Sequence, residues 1–399
     1  MRFPSPIRVC LVAVVCGLGI APGGLGLADE IPGGGPGGEA SSVVVDLLTP
    51  PGGEVEGTVV VRALDGGMLL EEATGRLRVI EPTAIAGMRV LPSAVGPPSA
   101  EAMGRLVLEE LPEGFELLHT RHYCICYDTS RDYARWTAAV FERLHDAFHN
   151  YWRRAGIEVS EPKRPLVVVI FSDRGRYLEH ARERMGPAAS EVVGFYDMLS
   201  NRVTTFDLTG SDAVRRAVGA RGPTAGPQIL ASPAASAFVA TLVHEATHQL
   251  AFNSGLQRRL APIPLWVSEG IAMYFETPDL RSQRGWNAIG RVNRPRIQRW
   301  RQRQAAGDDG LAARIVVDDD PLRDPATALD AYAEAWALTH FLLTTRRAAF
   351  VDYLQTLAAK EPLAEDSART RLDDFRAAFG EEPAGLKEEL ARFLARQRP

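Results

Sequence analysis

Apolar residues recur along the chain with two periods, near two and near 3.6, and the switches between them mark the expected elements. From Arg131 to Arg154, Tyr133, Trp136, Val140, Leu144, Phe148, Tyr151 and Trp152 fall three and four residues apart. That spacing predicts a long amphipathic helix with one core-facing stripe. Phe115–Tyr127 reads as a strand before it, and "PLVVVIFS" (Pro165–Ser172) as a buried strand after it. A helix is expected over Gly175–Met185. "VVGFYDML" and "RVTTFDL" flank the turn Ser200-Asn201, which is a hairpin pattern. Ser232-Pro233 opens a further helix, with Ser as N-cap and Pro at the first helical position. It runs to Asn253, where Gly255 can adopt the left-handed stop. Pro264 starts a short helix that Pro278 ends, and the pattern beyond is mostly helical. The Arg-rich stretch Arg281–Arg303 is assigned no element, and no internal repeat is evident.

Upstream, "GTVVVRALDGGMLLEEATGRLRVIEP" splits short apolar runs at Asp65-Gly66-Gly67 and at Thr74-Gly75, the signature of a small meander. Residues 42–99 are therefore expected to form a β-rich module without a chemical cluster, joined to the main domain by a short helix near Ala100–Leu111. Residues 29–41 are Gly/Pro-rich and read as a flexible linker. Ahead of them, Arg2 and Arg8 precede the apolar run Val9–Ile20, and Gly26-Leu27-Ala28 supplies small residues for a signal peptidase. Residues 1–28 are thus expected to be a cleaved signal peptide, with cleavage before Asp29. The run is shorter than the roughly 20 residues that span a bilayer, so no stable membrane span is expected after cleavage. Bulky Val14 and Val15 make Cys16 a poor lipoprotein site. The expected location is secreted, periplasmic or cell-envelope.

Composition narrows the class without naming a function. Hydrophobic residues at 46% and charged residues at 24% exclude wholesale disorder, collagen and coiled coil. A mean hydropathy of −0.09 argues against a multi-span membrane protein. Lys+Arg 45 against Asp+Glu 50 gives −5, with no basic tract of the kind that binds nucleic acid. Losing the leader removes two arginines and no acid, so the charge becomes more negative. It also leaves only Cys124 and Cys126 of the four cysteines. Residues i and i+2 of a strand share a face. Two small core side chains are therefore expected there, ahead of a local disulfide or a metal site.

The chemistry lies in "TLVHEATHQLAFN". His244 and His248 are four residues apart, about one helical turn on one face, so two imidazoles can bind a single ion at about 2.0–2.1 Å. Glu245 beside the first His is then positioned as general base. Short patterns recur by chance, so the second half of the site matters. Twenty-one residues after His248, "PLWVSEGIAMYFE" brings Glu269, which completes a His₂Glu set with an open fourth position. Glu276, two turns further along, can hold a ligand histidine through its ring N–H. Thr247 and Gln249 read as helix-packing and polar-face residues. Asn253 can support the site or simply end the helix. His119, His122, His145, His149 and His180 show no ligand spacing with an acidic partner and are expected at core edges or on the surface. Asp318-Asp319-Asp320 reads as a solvated turn, without the EF-hand pattern.

H-E-x-x-H followed by W-x-x-E-G-x-A-x-Y-x-E resembles the gluzincins, zinc metallopeptidases similar to thermolysin and the M1-type aminopeptidases. "GFYDMLSNRVTTFDL", "HEATHQLAFNSG", "PLWVSEGIAMYFE" and "AYAEAWALTHFLL" are more similar still to the bacterial peptidase-MA-like domain of unknown function 1570, over roughly residues 117–347. The resemblance implies an α+β fold. A zincin-like mixed-sheet lobe carries the H-E-x-x-H helix, a helical C-terminal lobe follows, and the β-rich module precedes both. The chain would then divide into 1–28, 29–41, 42–99, a metallopeptidase domain over 115–350 and a helical tail over 351–399. His244, His248 and Glu269 would be Zn²⁺ ligands and Glu245 the catalytic base. Tyr332 would donate to the oxyanion of the tetrahedral intermediate, with His340 as runner-up. The G-x-M-E-N segment of M1-type aminopeptidases does not occur before His244, so endopeptidase action on a peptide or protein is expected over aminopeptidase action. Arg202–Leu208 is the candidate edge strand for pairing with extended substrate. A catalytically inactive zincin-fold binding protein and a metal-dependent cell-wall amidase are the alternatives.

Overall fold

The computed structural model describes residues 42–48, 53–63, 65–92, 96–210, 233–277, 289–307 and 310–398. The expected leader and linker, the cap Ser232 and the stop Pro278 lie outside them. The architecture is mixed α+β, with two five-stranded sheets in the N-terminal half and a helical C-terminal region.

The first sheet is antiparallel: β1 (Ser42–Leu47), β2 (Gly53–Arg62), β3 (Met68–Glu71), β4 (Leu77–Ile80) and β5 (Ile85–Val90), in the order β4-β3-β2-β1-β5. Gly66 and Gly75, at φ 94° and 81°, turn the meander where L side chains are strained. Val43, Val45, Met68, Leu70 and Ile80 form its own small core.

The second sheet holds β6 (Glu116–His119), β7 (Tyr123–Tyr127), β8 (Leu166–Phe171), β9 (Gly194–Asp197) and β10 (Arg202–Phe206), in the order β6-β7-β8-β10-β9. β7, β8 and β10 run parallel, and β6 and β9 are antiparallel edges. Two expectations are corrected here. Phe115–Tyr127 is a hairpin rather than one strand. The polar triplet Thr120-Arg121-His122 reverses the chain, with Thr120 N–H donating to the Tyr123 carbonyl at 2.9 Å and Tyr123 N–H donating to Thr120 Oγ1 at 3.2 Å. Arg202–Leu208 is not an edge strand either. β10 pairs with β8 on one side and β9 on the other, every one of its residues is buried, and Gly194–Asp197 takes the edge. Cys124 and Cys126 are free and buried within β7, as small core side chains.

Twelve helices are described: α1 (Ala100–Leu108), α2 (Arg131–Ala155), α3 (Arg174–Met185), α4 (Pro233–Asn253), α5 (Leu265–Phe275), α6 (Arg294–Ala306), α7 (Leu311–Val317), α8 (Asp320–Arg323), α9 (Ala328–Thr345), α10 (Arg347–Ala358), α11 (Ala368–Phe379) and α12 (Lys387–Arg396). In α2, Ser130 Oγ caps Tyr133 N–H at 3.2 Å and Gly156, at φ 99°, ends the helix. The Arg-rich stretch resolves, in its described part, into α6, whose arginines reach the C-terminal region. Arg299 grips Asp330, Arg303 pairs with buried Glu334, and Arg301 donates to the Leu394 and Gln397 carbonyls.

α5 is apolar nearly all round and buried at every residue, as a helix at the centre of a domain must be. Pro264 gives it no side-chain cap, so the cap comes from elsewhere. Asp319 Oδ1 accepts the Leu265 N–H at 3.0 Å and is itself gripped by Arg371 at 2.8 and 3.1 Å. The acidic triplet is therefore not wholly a solvated turn, since its middle member anchors α5. Gly270 lies where α5 crosses α9: a Cβ there would meet Thr339 Oγ1 at 2.0 Å and the Ala335 carbonyl oxygen at 3.0 Å. Only glycine lets the two helices approach this closely.

Candidate metal centre

α4 packs on β9 and β10 and crosses α5, so residues more than twenty apart in sequence meet at the crossing. His244 and His248 project from α4 and Glu269 from α5, all three buried. His244 Nε2 lies 3.1 Å from His248 Nε2 and 3.1 Å from Glu269 Oε2, and His248 Nε2 lies 3.5 Å from Glu269 Oε1. Tetrahedral bonds of about 2.0–2.1 Å put neighbouring donors roughly 3.3–3.4 Å apart, so this spacing fits a small divalent ion. The three residues form a buried group that could hold a metal.

The far side of each imidazole is also held. His244 Nδ1 lies 2.9 Å from Glu276 Oε2, at the residue where α5 ends. Glu276 Oε1 accepts from Asn293 Nδ2 at 2.6 Å and lies 3.7 Å from Arg296 Nε. His248 Nδ1 lies 3.4 Å from Ser268 Oγ, which donates to Gln257 Oε1 at 3.1 Å. Carboxylate or hydroxyl partners of this kind fix ring orientation and tautomer in metal sites. Glu276→Gln is expected to weaken the affinity for an added divalent ion, zinc being the probe, about 10–100-fold without unfolding the protein, measured by competition with a chromophoric chelator. An unchanged affinity would remove Glu276 from the site.

Burial and neighbouring charge act oppositely on these groups. Burial pushes Glu245 up to about 8, only partly offset by His244 and the Tyr196 N–H. Burial alone would also raise Glu269, but His248 and His244 hold it well below the usual carboxylate range. Burial opposes protonation of His244, yet Glu269 and Glu276 outweigh it and raise that imidazole, while burial lowers His248. Glu276 stays ionised because Arg296, His244 and Asn293 overcome its burial.

Glu245 is fixed by an element the sequence reading did not connect to it. The backbone N–H of Tyr196, on the edge strand β9, donates to Glu245 Oε2 at 2.8 Å. That hairpin is held in turn. Asn201, at φ 60° in the turn, exchanges amide hydrogen bonds with Asn253 at 2.7 and 2.8 Å and accepts from Tyr196 Oη at 2.8 Å. Asn253 thus ties the end of α4 to the hairpin rather than to the ligands. Gln249 is fully buried, not on a polar face, and donates to the Val167 and Asn201 carbonyls. The first sheet braces the same turn: Leu77 N–H donates to the Leu199 carbonyl at 2.7 Å, and Glu71 pairs with Arg164 and Arg259.

Tyr332 lies buried in α9, which packs along α5, with the Arg296 guanidinium 5.5 Å above its ring. It is therefore one residue removed from Glu276. His340 lies two turns on, stacked on Trp336 and flanked by Tyr274 and Phe393, and neither ring nitrogen has a hydrogen-bond partner among the described residues. Burial lowers it to about 4.

Several supporting residues escaped the sequence reading. Ser268 had a signal, as a small polar residue beside Glu269 in an otherwise apolar helix. Gln257, Asn293 and Arg296 had none. The remaining histidines divide. His119 is exposed on β6 and His180 lies against Phe171. His122, His145 and Glu161, however, form a second group of possible ligands, contrary to the expectation that these histidines lack an acidic partner. Three segments distant in sequence supply them, so linear spacing could not show it.

A family model described as "Protein of unknown function (DUF1570)" matches residues 238–364, from within α4 to beyond α10. The matched stretch contains His244, Glu245, His248, Glu269, Glu276 and Tyr332, and it begins after the β9–β10 hairpin, so the similarity is narrower than the residue blocks suggest. No curated protein matches the chain. Among the described residues, no helix is long and apolar enough to cross a membrane.

Proposed function

We propose that this protein is an exported, zinc-dependent metallopeptidase of the gluzincin type that cleaves internal peptide bonds. The observation that carries the reading is the convergence of His244, His248 and Glu269 at 3.1–3.5 Å beside a buried Glu245. Those three residues would hold the ion, which when bound supplies Lewis-acid activation of a water and of the scissile carbonyl. Glu245, aimed by the Tyr196 N–H and ionised where a bound cation offsets its burial, would take the proton of the attacking water and return it to the leaving amine. Glu276 and Ser268 keep the two imidazoles oriented. Tyr332 donates its phenol hydrogen to the developing oxyanion. Extended substrate pairs with β9, the sheet edge beside Glu245, rather than with interior β10. Export rests on the signal-like residues 1–28.

The test is digestion of an unbiased peptide library by the purified protein, with and without chelator. Internal cleavage that a chelator abolishes and zinc restores is expected. Release of muropeptides alone would favour the amidase reading. Zinc-loaded protein that cleaves neither substrate would leave a binding protein on the same fold.

A further inference from the structure

We propose a second divalent-metal site, with a donor set separate from the first, formed by His122, His145 and Glu161 where the β6–β7 turn and the α2–β8 loop meet α2. Their ligand atoms lie within 4.8 Å of one another and come from three segments: the β6–β7 turn, the middle of α2, and the loop between α2 and β8. Glu161 Oε2 lies 3.2 Å from His145 Nε2 and 3.8 Å from His122 Nε2. Imidazole nitrogens with one carboxylate suit zinc and its transition-metal neighbours.

Two further observations point to a ligand. The His145 side chain is 2% exposed, yet neither ring nitrogen has a hydrogen-bond partner among the described residues. Glu161 approaches Nε2 without hydrogen-bond alignment, so neither nitrogen of this buried ring is satisfied by it. A buried polar atom left in this way is costly unless something pairs with it. His122, in contrast, is held from behind. Glu142 Oε2 lies 2.6 Å from its Nδ1, and Glu142 Oε1 accepts its backbone N–H at 2.8 Å, turning Nε2 toward Glu161. Glu276 holds His244 by the same device, a carboxylate behind a ligand imidazole.

The neighbouring groups delimit the donor set. His149 has its Nδ1 3.0 Å from the His145 carbonyl and its Nε2 3.2 Å from the Ser160 carbonyl, so it is engaged elsewhere. Asp146 approaches His145 Nδ1 only to 3.8 Å, on the opposite side of the ring. The His122 and His145 rings stack at 3.6 Å with their planes 13° apart. Aiming both Nε2 atoms at one ion requires the rings to fan apart and Glu161, 65% exposed, to swing in from solvent. That open side provides entry for the ion and coordination positions for water. An ion here would pin the β6–β7 turn and the α2–β8 loop to α2, so binding would stabilise the fold.

The test counts zinc by equilibrium dialysis and elemental analysis in the metal-stripped full chain. Two equivalents are expected in the native protein. His248→Ala should retain one, whose loading raises the Tm, and cobalt should give visible absorption bands of a low-symmetry site. Adding His122→Gln and Glu161→Gln should remove that equivalent and the Tm rise while circular dichroism stays native. Both added substitutions avoid buried His145, so folding is preserved. A folded His248→Ala protein that takes up no zinc overturns the proposal, as does a second equivalent that survives the combined variant. Neither outcome bears on the His244 centre, which is read from the equivalent that His248→Ala abolishes.

Discussion

Glu245→Gln is expected to lower peptide hydrolysis by about 10²–10⁴-fold, the usual worth of a positioned general acid–base. The amide has the size of the carboxylate and can still accept the Tyr196 N–H, so the hairpin and the α4 backbone keep their places. It cannot accept a proton at neutral pH, so water attack loses its base. Zinc stoichiometry at the His244 centre should be unchanged, because Glu245 is not one of the three converging ligands. Progress curves with a fluorogenic peptide found in the library digest, together with metal analysis of the same preparation, check both halves. Undiminished turnover would remove Glu245 as base. Loss of zinc would mean that the residue acts on the ligands instead.

Tyr332→Phe is expected to lower kcat by about 10²–10³-fold, the range seen when one oxyanion donor is removed. The phenyl ring keeps the packing between α9 and the Arg296 guanidinium, so stability and zinc content should not move. KM should change little, since the interaction matters in the transition state more than in the bound substrate. His340→Phe is the paired control. His340 sits against Trp336, Tyr274 and Phe393 without hydrogen-bond partners among the described residues, and an aromatic replacement should leave kcat within several-fold. A large loss in His340→Phe with none in Tyr332→Phe would transfer the role to the imidazole.

Distance along the chain separates the features written locally from those that packing decides. The two histidines on α4 needed only the helical repeat, because four residues make about one turn. Glu269 was legible through its acidic character in an apolar helix bounded by Pro264, and the structure brings it within 3.1 Å of His244 Nε2. The amphipathic stripe of α2, its glycine stop and the Asn201 hairpin were likewise written locally. Where the reading went wrong, a neighbour distant in sequence decided the outcome. Asp319 looked like part of a solvated acidic run until Arg371 and the start of α5 closed on it. Arg202–Leu208 reads as an edge strand in the sequence because hairpin order does not reveal which arm the preceding strand chooses. β8 pairs with β10, leaving β9 outside.

The sequence by itself determined the helical pair of histidines, the glutamate between them and the carboxylate that could join them, since each depends on local period and residue chemistry. Only the tertiary structure decided that the edge strand carries the N–H gripping Glu245, that Asn293 and Arg296 stand behind Glu276, and that His122, His145 and Glu161 share one corner. These contacts join segments separated by tens of residues. Which of them form depends on how whole elements pack and pair, and a one-dimensional pattern does not encode that choice in any short window.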